Sequence, residues 1–364
     1  MSGSTDDSVD AVRRLNRRIK NECPLDERPV VIRRQYGMTQ VCINTGGCIR
    51  GMGGSCTFCN YVRGRGVVVG GIESVIREIL SSVEDGDESL LLGCSGSILD
   101  EREMPTDILI RILEALNKID IRTLILETRL DTITRESLSM VEAHSRHNVD
   151  LEFGLESSNP DVLRYSLNKT LDLDDVREKA GLIHEFGYTC TANVILGAPL
   201  LTEPEQVDDA VSTILWARKN DVDNTVLFPM NIRRFTFLQI MYDAGLYKPV
   251  SHDMVIEVLH RLDPETLSSV SLSWSDSGQV DDDVIIQHPT GGTAEVFDLY
   301  RKFMVERDGT ARRELLRPVL LDVGDVTCPS LKGLDLDQRL NKVLNVLSNR
   351  FHRFLTDETP PPYS

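Results

Sequence analysis

The sequence predicts an α/β fold. A parallel sheet of about six βα units, either an open barrel or a doubly wound sheet, is followed by an α-rich extension. Three observations carry this expectation. Short Val-, Ile- and Leu-rich runs alternate with helical stretches between residues 38 and 232. A loop rich in glycine and cysteine breaks that alternation after its first strands, over residues 45–66. Finally, 41% of the 364 residues are apolar and the charges are of both signs, so the chain can bury a core.

The elements follow in order. Residues 1–28 form a polar segment with a helical stretch near 8–21, SVDAVRRLNRRIKN. Residues 29–44 are extended, because Val and Ile dominate them and turn residues bound them. The loop TGGCIRGMGGSCTFCNYVRGRG, 45–66, holds seven glycines, which let a backbone approach a bound group closely. Helices are expected at 72–83, 105–117, 134–143, 174–186 and 204–219. Strands are expected at 89–93, 121–126, 150–155, 190–197 and 224–230. In such a sheet, ligands bind at the carboxyl ends of the strands. The barrel domain is set at 29–235 and an extension at 236–355, with helical stretches at 252–262, 293–305 and 336–355. The tail 356–364, TDETPPPYS, is expected to be flexible.

Composition narrows the function. The 40 basic and 57 acidic residues leave a net charge of −17, which argues against a broad non-specific nucleic-acid surface while allowing a local basic groove. The apolar runs, such as 194–201, are far shorter than a membrane span of about 20 residues. No cationic segment followed by an apolar one opens the chain, so a cytoplasmic location is expected.

Four of the eight cysteines, Cys42, Cys48, Cys56 and Cys59, fall within 18 residues. In a cytosolic chain such clustering points to metal or redox chemistry rather than to disulfides. Cys48, Cys56 and Cys59 form C-x7-C-x2-C. Three thiolates on a flexible loop can hold three irons of a [4Fe–4S] cluster and leave the fourth iron open. Two alternatives stand beside this: a structural zinc with Cys42 as fourth ligand, or no metal. Cys42 sits in an expected strand, where a buried thiol is the simpler role.

With the βα pattern behind it, this loop resembles that of the radical S-adenosylmethionine (SAM) enzymes. Their usual spacing is C-x3-C-x2-C; a longer first gap marks the branch that includes the elongator radical subunit. Within that branch the chain is similar to the radical subunits of archaeosine synthases. The stretches that carry the likeness are GCIRGMGGSCTFCNY (47–61), CSGSILDE (94–101), LETRLD (126–131), FGLESS (153–158), LNKT (167–170), NVILGAPLLTEPE (193–205) and PMNIRRFT (229–236). The resemblance covers about residues 30–250 and implies a partial parallel (β/α)6 barrel.

It further implies that Cys48, Cys56 and Cys59 ligate a [4Fe–4S] cluster whose open iron takes the amine and carboxylate of SAM. Ser95, Gly96 and Ser97 then belong to the loop that holds the methionyl amine. Arg129 pairs with the methionine carboxylate, and Glu127 or Glu156 meets the ribose. Asn193 and the segment Leu196–Gly197–Ala198–Pro199 lie beside the adenine. These side chains suit SAM, which offers an amine, a carboxylate and ribose hydroxyls. Reductive cleavage of SAM gives a 5′-deoxyadenosyl radical that takes hydrogen from substrate, with a flavodoxin or ferredoxin as electron donor.

The substrate implied is a lysine-modified tRNA base, cleaved at a C–N bond with a partner transferase at hand. The C-terminal part departs from that family: IIQHPTGGTAEVFD (285–298) has no cysteine, and Cys328 is the only one after residue 190. A small-molecule metabolite or nucleoside is the alternative substrate, and a non-catalytic, zinc-stabilised binding subunit the alternative of another class. Arg233 and Arg234, with Arg63 and Arg65, are candidates for a phosphate or carboxylate. His252 and His288 read as surface or hydrogen-bonded residues, Cys94 as a packed thiol, and Cys328 as structural or inert.

Overall fold

The computed structural model describes residues 5–35, 37–62, 71–84, 86–273, 284–286, 294–316, 331 and 333–350. Arg63, Arg65, His288, Cys328 and the tail 356–364 lie outside the described residues.

Helix α1 (Thr5–Asn21) leads into the hairpin β1 (Val30–Gln35) and β2 (Met38–Ile43). The short helix α2 (Ile49–Met52) sits within the cysteine loop. Then α3 (Ile72–Ser82), β3 (Ser89–Cys94), α4 (Thr106–Leu116), β4 (Thr123–Thr128), α5 (Arg135–His144) and β5 (Asn148–Glu156) alternate. The alternation continues through α6 (Asp175–Glu185), β6 (Thr189–Leu196), α7 (Glu203–Lys219) and β7 (Asn224–Pro229). Beyond it come β8 (Ile232–Arg233), α8 (Phe237–Asp243), α9 (His252–Arg261), α10 (Pro264–Ser268), β9 (Val270–Leu272), β10 (Val284–Ile286), α11 (Ala294–Val305), α12 (Gly309–Leu315) and α13 (Leu336–Arg350).

The main sheet runs β1-β2-β3-β4-β5-β6-β7-β9, in chain order. β1 pairs antiparallel with β2, and every later pairing is parallel. Each crossover therefore advances the sheet one strand in the same direction. The result is a curled half-barrel whose first and last strands do not meet among the described residues, in agreement with the partial parallel barrel expected. The extension is not purely helical: it contributes β9 as a seventh parallel strand.

Local chemistry explains the elements. In α1, Val9, Val12, Leu15 and Ile19 recur at helical spacing and are buried. α5 and α7 open with capping boxes, Thr134 with Ser137 and Thr202 with Glu205. Strand alternation divides the sheet's faces. In β2, Thr39, Val41 and Ile43 are buried toward the helices, while Gln40 and Cys42 take the lumen side. One core lies between β2–β5 and their helices. A second joins β6, β7 and α7 to α1 and the extension.

Two features steer the chain into the site. Residues 162–166 form a turn of π-helix, a wider winding that often marks functional ground. β5 ends in a bulge between Gly154 and Glu156, and Glu156 has φ of 68°, in the left-handed region that non-glycine residues seldom occupy.

Candidate functional site

At the carboxyl ends of the strands lies a cleft enclosing about 1230 Å³ of open space. Cys48, Cys56 and Cys59 all line it, together with Gly96, Glu127, Arg129, Glu156 and Asn193. The expected site residues are thus largely brought together by β3, β4, β5 and β6.

The cysteine loop is held by several backbone contacts. The Cys48 N–H donates to Tyr61 O at 2.6 Å, and the Cys48 sulfur accepts from the Gly51 N–H at 3.4 Å. Cys56 has φ of 56°. Its N–H donates to Asn168 O at 3.1 Å, and the Thr57 N–H donates to Leu167 O at 3.0 Å, so two backbone bonds pin the loop to residues 167–168. α1 clamps the other side. Asn16 Nδ2 donates to the carbonyls of Gly54, Ser55 and Cys56 at 2.9, 3.1 and 3.1 Å. Lys20 Nζ donates to those of Ser55 and Cys56 at 2.5 and 3.0 Å. Gly54, with φ of 90°, lets this contact close: a Cβ there would strike the Arg13 carbonyl.

Burial pushes the Cys59 thiol up to about 12, partly offset by the Lys20 charge. Burial, then the neighbouring Glu103 carboxylate, raises Cys48. Metal ligation needs the thiolates, so these thiols gain their counter-charge when a metal binds. Among the described residues, the only group of three or more potential ligand atoms within 4.8 Å of one another is His184, Cys190 and Asp223. Cys42 lines a neighbouring cavity rather than this cleft.

Three carboxylates in and behind the cleft wall are each seated over a glycine. A Cβ at Gly93 would strike the Glu127 carboxylate, one at Gly96 that of Glu103, and one at Gly154 that of Glu156. Glu103 is a residue of the site that no local sequence pattern marks. Its side chain is fully buried, and it accepts from the Ile49 N–H at 2.8 Å, from the Ser97 N–H at 2.5 Å and from Arg129 Nη1 at 2.8 and 2.7 Å. It thereby ties the residue after Cys48, the β3 loop and Arg129 into one unit. Arg129 also pairs with Asp100 at 2.5 Å, and its Nη1 lies 4.0 Å from the Cys48 sulfur. Burial opposes the Arg129 charge, but Glu103 outweighs it and the guanidinium pKa rises. The Arg102 guanidinium, then that of Arg129, holds Asp100 down to about 2.

Glu127 faces Glu152 in register across β4 and β5. Burial, and then the nearby Glu156 charge, raises Glu127 to about 7; burial, and then Glu127, raises Glu152 to about 8. Glu156 is ion-paired to Lys169 at 2.8 Å, and Lys169 also donates to Gly154 O at 2.6 Å. Asn193 lines the cleft and donates to Glu152 Oε1 at 2.9 Å.

Three expected residues sit elsewhere. Ser95 lines the neighbouring cavity, with its hydroxyl donating to Asn44 Oδ1 at 2.9 Å. Ser97 is buried, and its hydroxyl bonds those of Thr128 and Thr132 at 2.6 and 2.7 Å, which fixes the loop rather than facing the cleft. Leu196 turns its side chain into the core, because strand alternation gives the lumen position to Ile195. Of the residues named more loosely, Cys94 is a buried thiol as expected. His252 is likewise buried, its Nδ1 lying 3.0 Å from the Tyr300 hydroxyl. Arg233 lines both cavities.

No protein-family model matches the chain. It is 24% identical over 227 residues to the archaeosine synthase subunit beta of Methanosarcina acetivorans, covering 61% of this chain and 65% of that protein. It is 21% identical over 228 residues to an uncharacterized protein of Methanocaldococcus jannaschii, covering 60% of this chain and 62% of that protein. The match thus spans less than two thirds of the length of these two relatives. Among solved structures, methylornithine synthase aligns at 12% identity with a TM-score of 0.46, over 86% of this chain and 91% of that one. The likeness to the archaeosine synthase subunits agrees with the resemblance carried by the motifs.

Proposed function

We propose that the chain is a radical SAM enzyme in which Cys48, Cys56 and Cys59 hold a [4Fe–4S] cluster and the adjoining strand ends hold SAM. One observation carries this reading: the three cysteines line a single cleft at the carboxyl ends of a parallel half-barrel, beside a half-buried guanidinium and the carboxylates of Glu127, Asp131 and Glu156. When bound, the cluster supplies the single electron that cleaves SAM to methionine and a 5′-deoxyadenosyl radical.

The chain's own residues do the rest. Arg129, held by Glu103 and Asp100, offers its fork to the methionine carboxylate. Gly96 leaves room for the Glu103 carboxylate and for a ligand amine beside it. Glu156, braced by Lys169, is the ribose contact, and Asn193 and Ile195 line the wall beyond it. The barrel wall shields the radical from water and from stray hydrogen donors. A flavodoxin or ferredoxin supplies the electron.

The favoured substrate is a modified tRNA nucleoside, cleaved at a C–N bond with a partner transferase supplying the modified base. A small metabolite or nucleoside is the second reading, favoured by the chain's charge of −17, which opposes a phosphate backbone.

Anaerobic reconstitution with iron and sulfide, then reduction in the presence of SAM, tests the reading. It expects a brown protein that releases 5′-deoxyadenosine, and a Cys56→Ala variant that does neither. A colourless protein holding one zinc would instead make the chain a binding subunit. Turnover on lysine-modified tRNA against turnover on free metabolites separates the two substrate readings.

A further inference from the structure

Beside the cleft lies a second, open pocket that spans about 730 Å³ with the solvent at its mouth, bounded by the β1–β2 hairpin, β3 and the cysteine loop. The SAM reading gives it no occupant. Tyr61, Glu127 and Arg233 line both spaces, so the two are neighbours across a shared wall.

The chamber's charge runs against that of the molecule. In a chain of net charge −17 its wall carries three guanidiniums, those of Arg28, Arg33 and Arg233. The carboxylates among the lining residues are Asp26, which pairs with Arg28 at 2.7 Å, and Glu127, which burial raises to about 7. The lining thus carries three guanidiniums against two carboxylates.

The arginines are set in place by the fold. Arg33 lies opposite Gln40 in the β1–β2 register, and Val31 opposite Cys42, so these alternate residues share the chamber face. The next residue, Arg34, takes the other face and serves structure there, bound to Asp87 at 2.6 Å. Arg233 stands on β8 with its guanidinium 5.6 Å over the Tyr61 ring. A guanidinium has five N–H donors in a planar fork, so it can hold a protein neighbour and an anion together.

We propose that this chamber seats an oxyanion of the substrate, a carboxylate or a phosphate, gripped by Arg33 and Arg233 with Arg28 at the rim. The substrate then reaches past Tyr61 and Glu127 to present its reacting carbon in the cleft. Naming this ligand a substrate rests on the radical SAM reading; the anion site itself does not.

The test uses the full chain as purified, titrated with inorganic phosphate and, separately, with acetate. Melting temperature and calorimetric affinity are read against sodium chloride at equal ionic strength. Saturable stabilisation by at least one anion is expected, with affinity falling tenfold or more in Arg33→Gln. The control is Arg111→Gln, which removes the same charge from an exposed pair with Glu73; it should bind as the wild type does. Tighter phosphate binding points to a phosphorylated or nucleic-acid substrate, and tighter acetate binding to a carboxylic acid. If neither anion binds above the salt control, or if Arg33→Gln binds as Arg111→Gln does, the chamber assignment is overturned. Cluster assembly is scored separately. A colourless protein that binds anions sinks the radical reading alone, and a brown protein that binds none sinks the chamber alone.

Discussion

The two ends of the sheet carry the same kinds of side chain and put them to different use. At the amino ends, His184, Cys190 and Asp223 gather where α6, β6 and β7 meet. Asp223 Oδ2 is already spent there, accepting from the Cys190 N–H at 2.8 Å and lying 2.8 Å from His184 Nε2. Burial pushes the Cys190 thiol far up, so it stays protonated, with its sulfur 3.8 Å from Asp221 O. At the carboxyl ends, the thiols of Cys48, Cys56 and Cys59 face open space, and glycines at 93, 96 and 154 make room for carboxylates. Proximity alone does not decide the use: one group of side chains is absorbed into the fold, while the other lines a cleft.

The sharpest contrast comes from cysteine replacement. Cys59→Ala should remove all cluster absorbance after anaerobic reconstitution. Cys190→Ala should keep the colour and cost about 1–2 kcal/mol in denaturant unfolding, the scale of a small buried deletion. A colourless Cys190→Ala protein would break the distinction between the ends.

Next in size is Glu103→Ala. It strips the acceptor from a half-buried guanidinium and two backbone N–H groups, and should cost about 3–5 kcal/mol. SAM affinity should fall with it, and Glu103→Gln should recover part of both. Asp223→Ala, at the other end, loses an exposed pair with His184 and one backbone acceptor, for about 1–2 kcal/mol. Equal costs measured by urea unfolding would contradict the greater role given to Glu103.

Steric filling sharpens the same point. Gly93→Ala would drive a methyl into the Glu127 carboxylate, with an expected cost of about 1–3 kcal/mol. A variant as stable as the wild type, with unchanged SAM cleavage, would remove Glu127 from its seat.

The smallest effect is on pH dependence. Glu127 and Glu152 titrate near 7 and 8 in the folded chain against an ordinary 4.5. Between those values the folded state holds more protons than the unfolded one, so their contribution is full below about pH 4.5 and is lost as pH rises to about 8. Each group contributes at most ~1.4 kcal/mol per pH unit across its window. Melting temperature measured from pH 5 to 8 should decline, and Glu152→Gln should flatten the slope. An unchanged slope in Glu152→Gln would contradict the burial of that carboxyl as an acid.

Much of this was legible in the sequence. The runs SLLLG, IRTLIL and DLEFGL announce strands because β-rich and apolar residues leave no other role for them. The thiols sit where a loop after the first parallel strand must emerge. Other parts were hidden for physical reasons. Glu103 lies in LDEREM, where neighbouring acids read as a solvated turn; only the fold folds it under Gly96. Asn16 and Lys20 clamp the cysteine loop from a helix far upstream, a contact that no local pattern carries. β9 has three residues, too few to stand out. The parity of β6 was readable: if Asn193 faces the lumen, so does Ile195, and Leu196 does not.

If three thiols hold a cluster with one iron open to SAM, electron paramagnetic resonance of the reconstituted, dithionite-reduced protein, recorded with and without SAM, will show it. A reduced [4Fe–4S] signal is expected, with g-values that move when SAM is added. A signal indifferent to SAM, or no cluster signal from a fully folded chain, would contradict it.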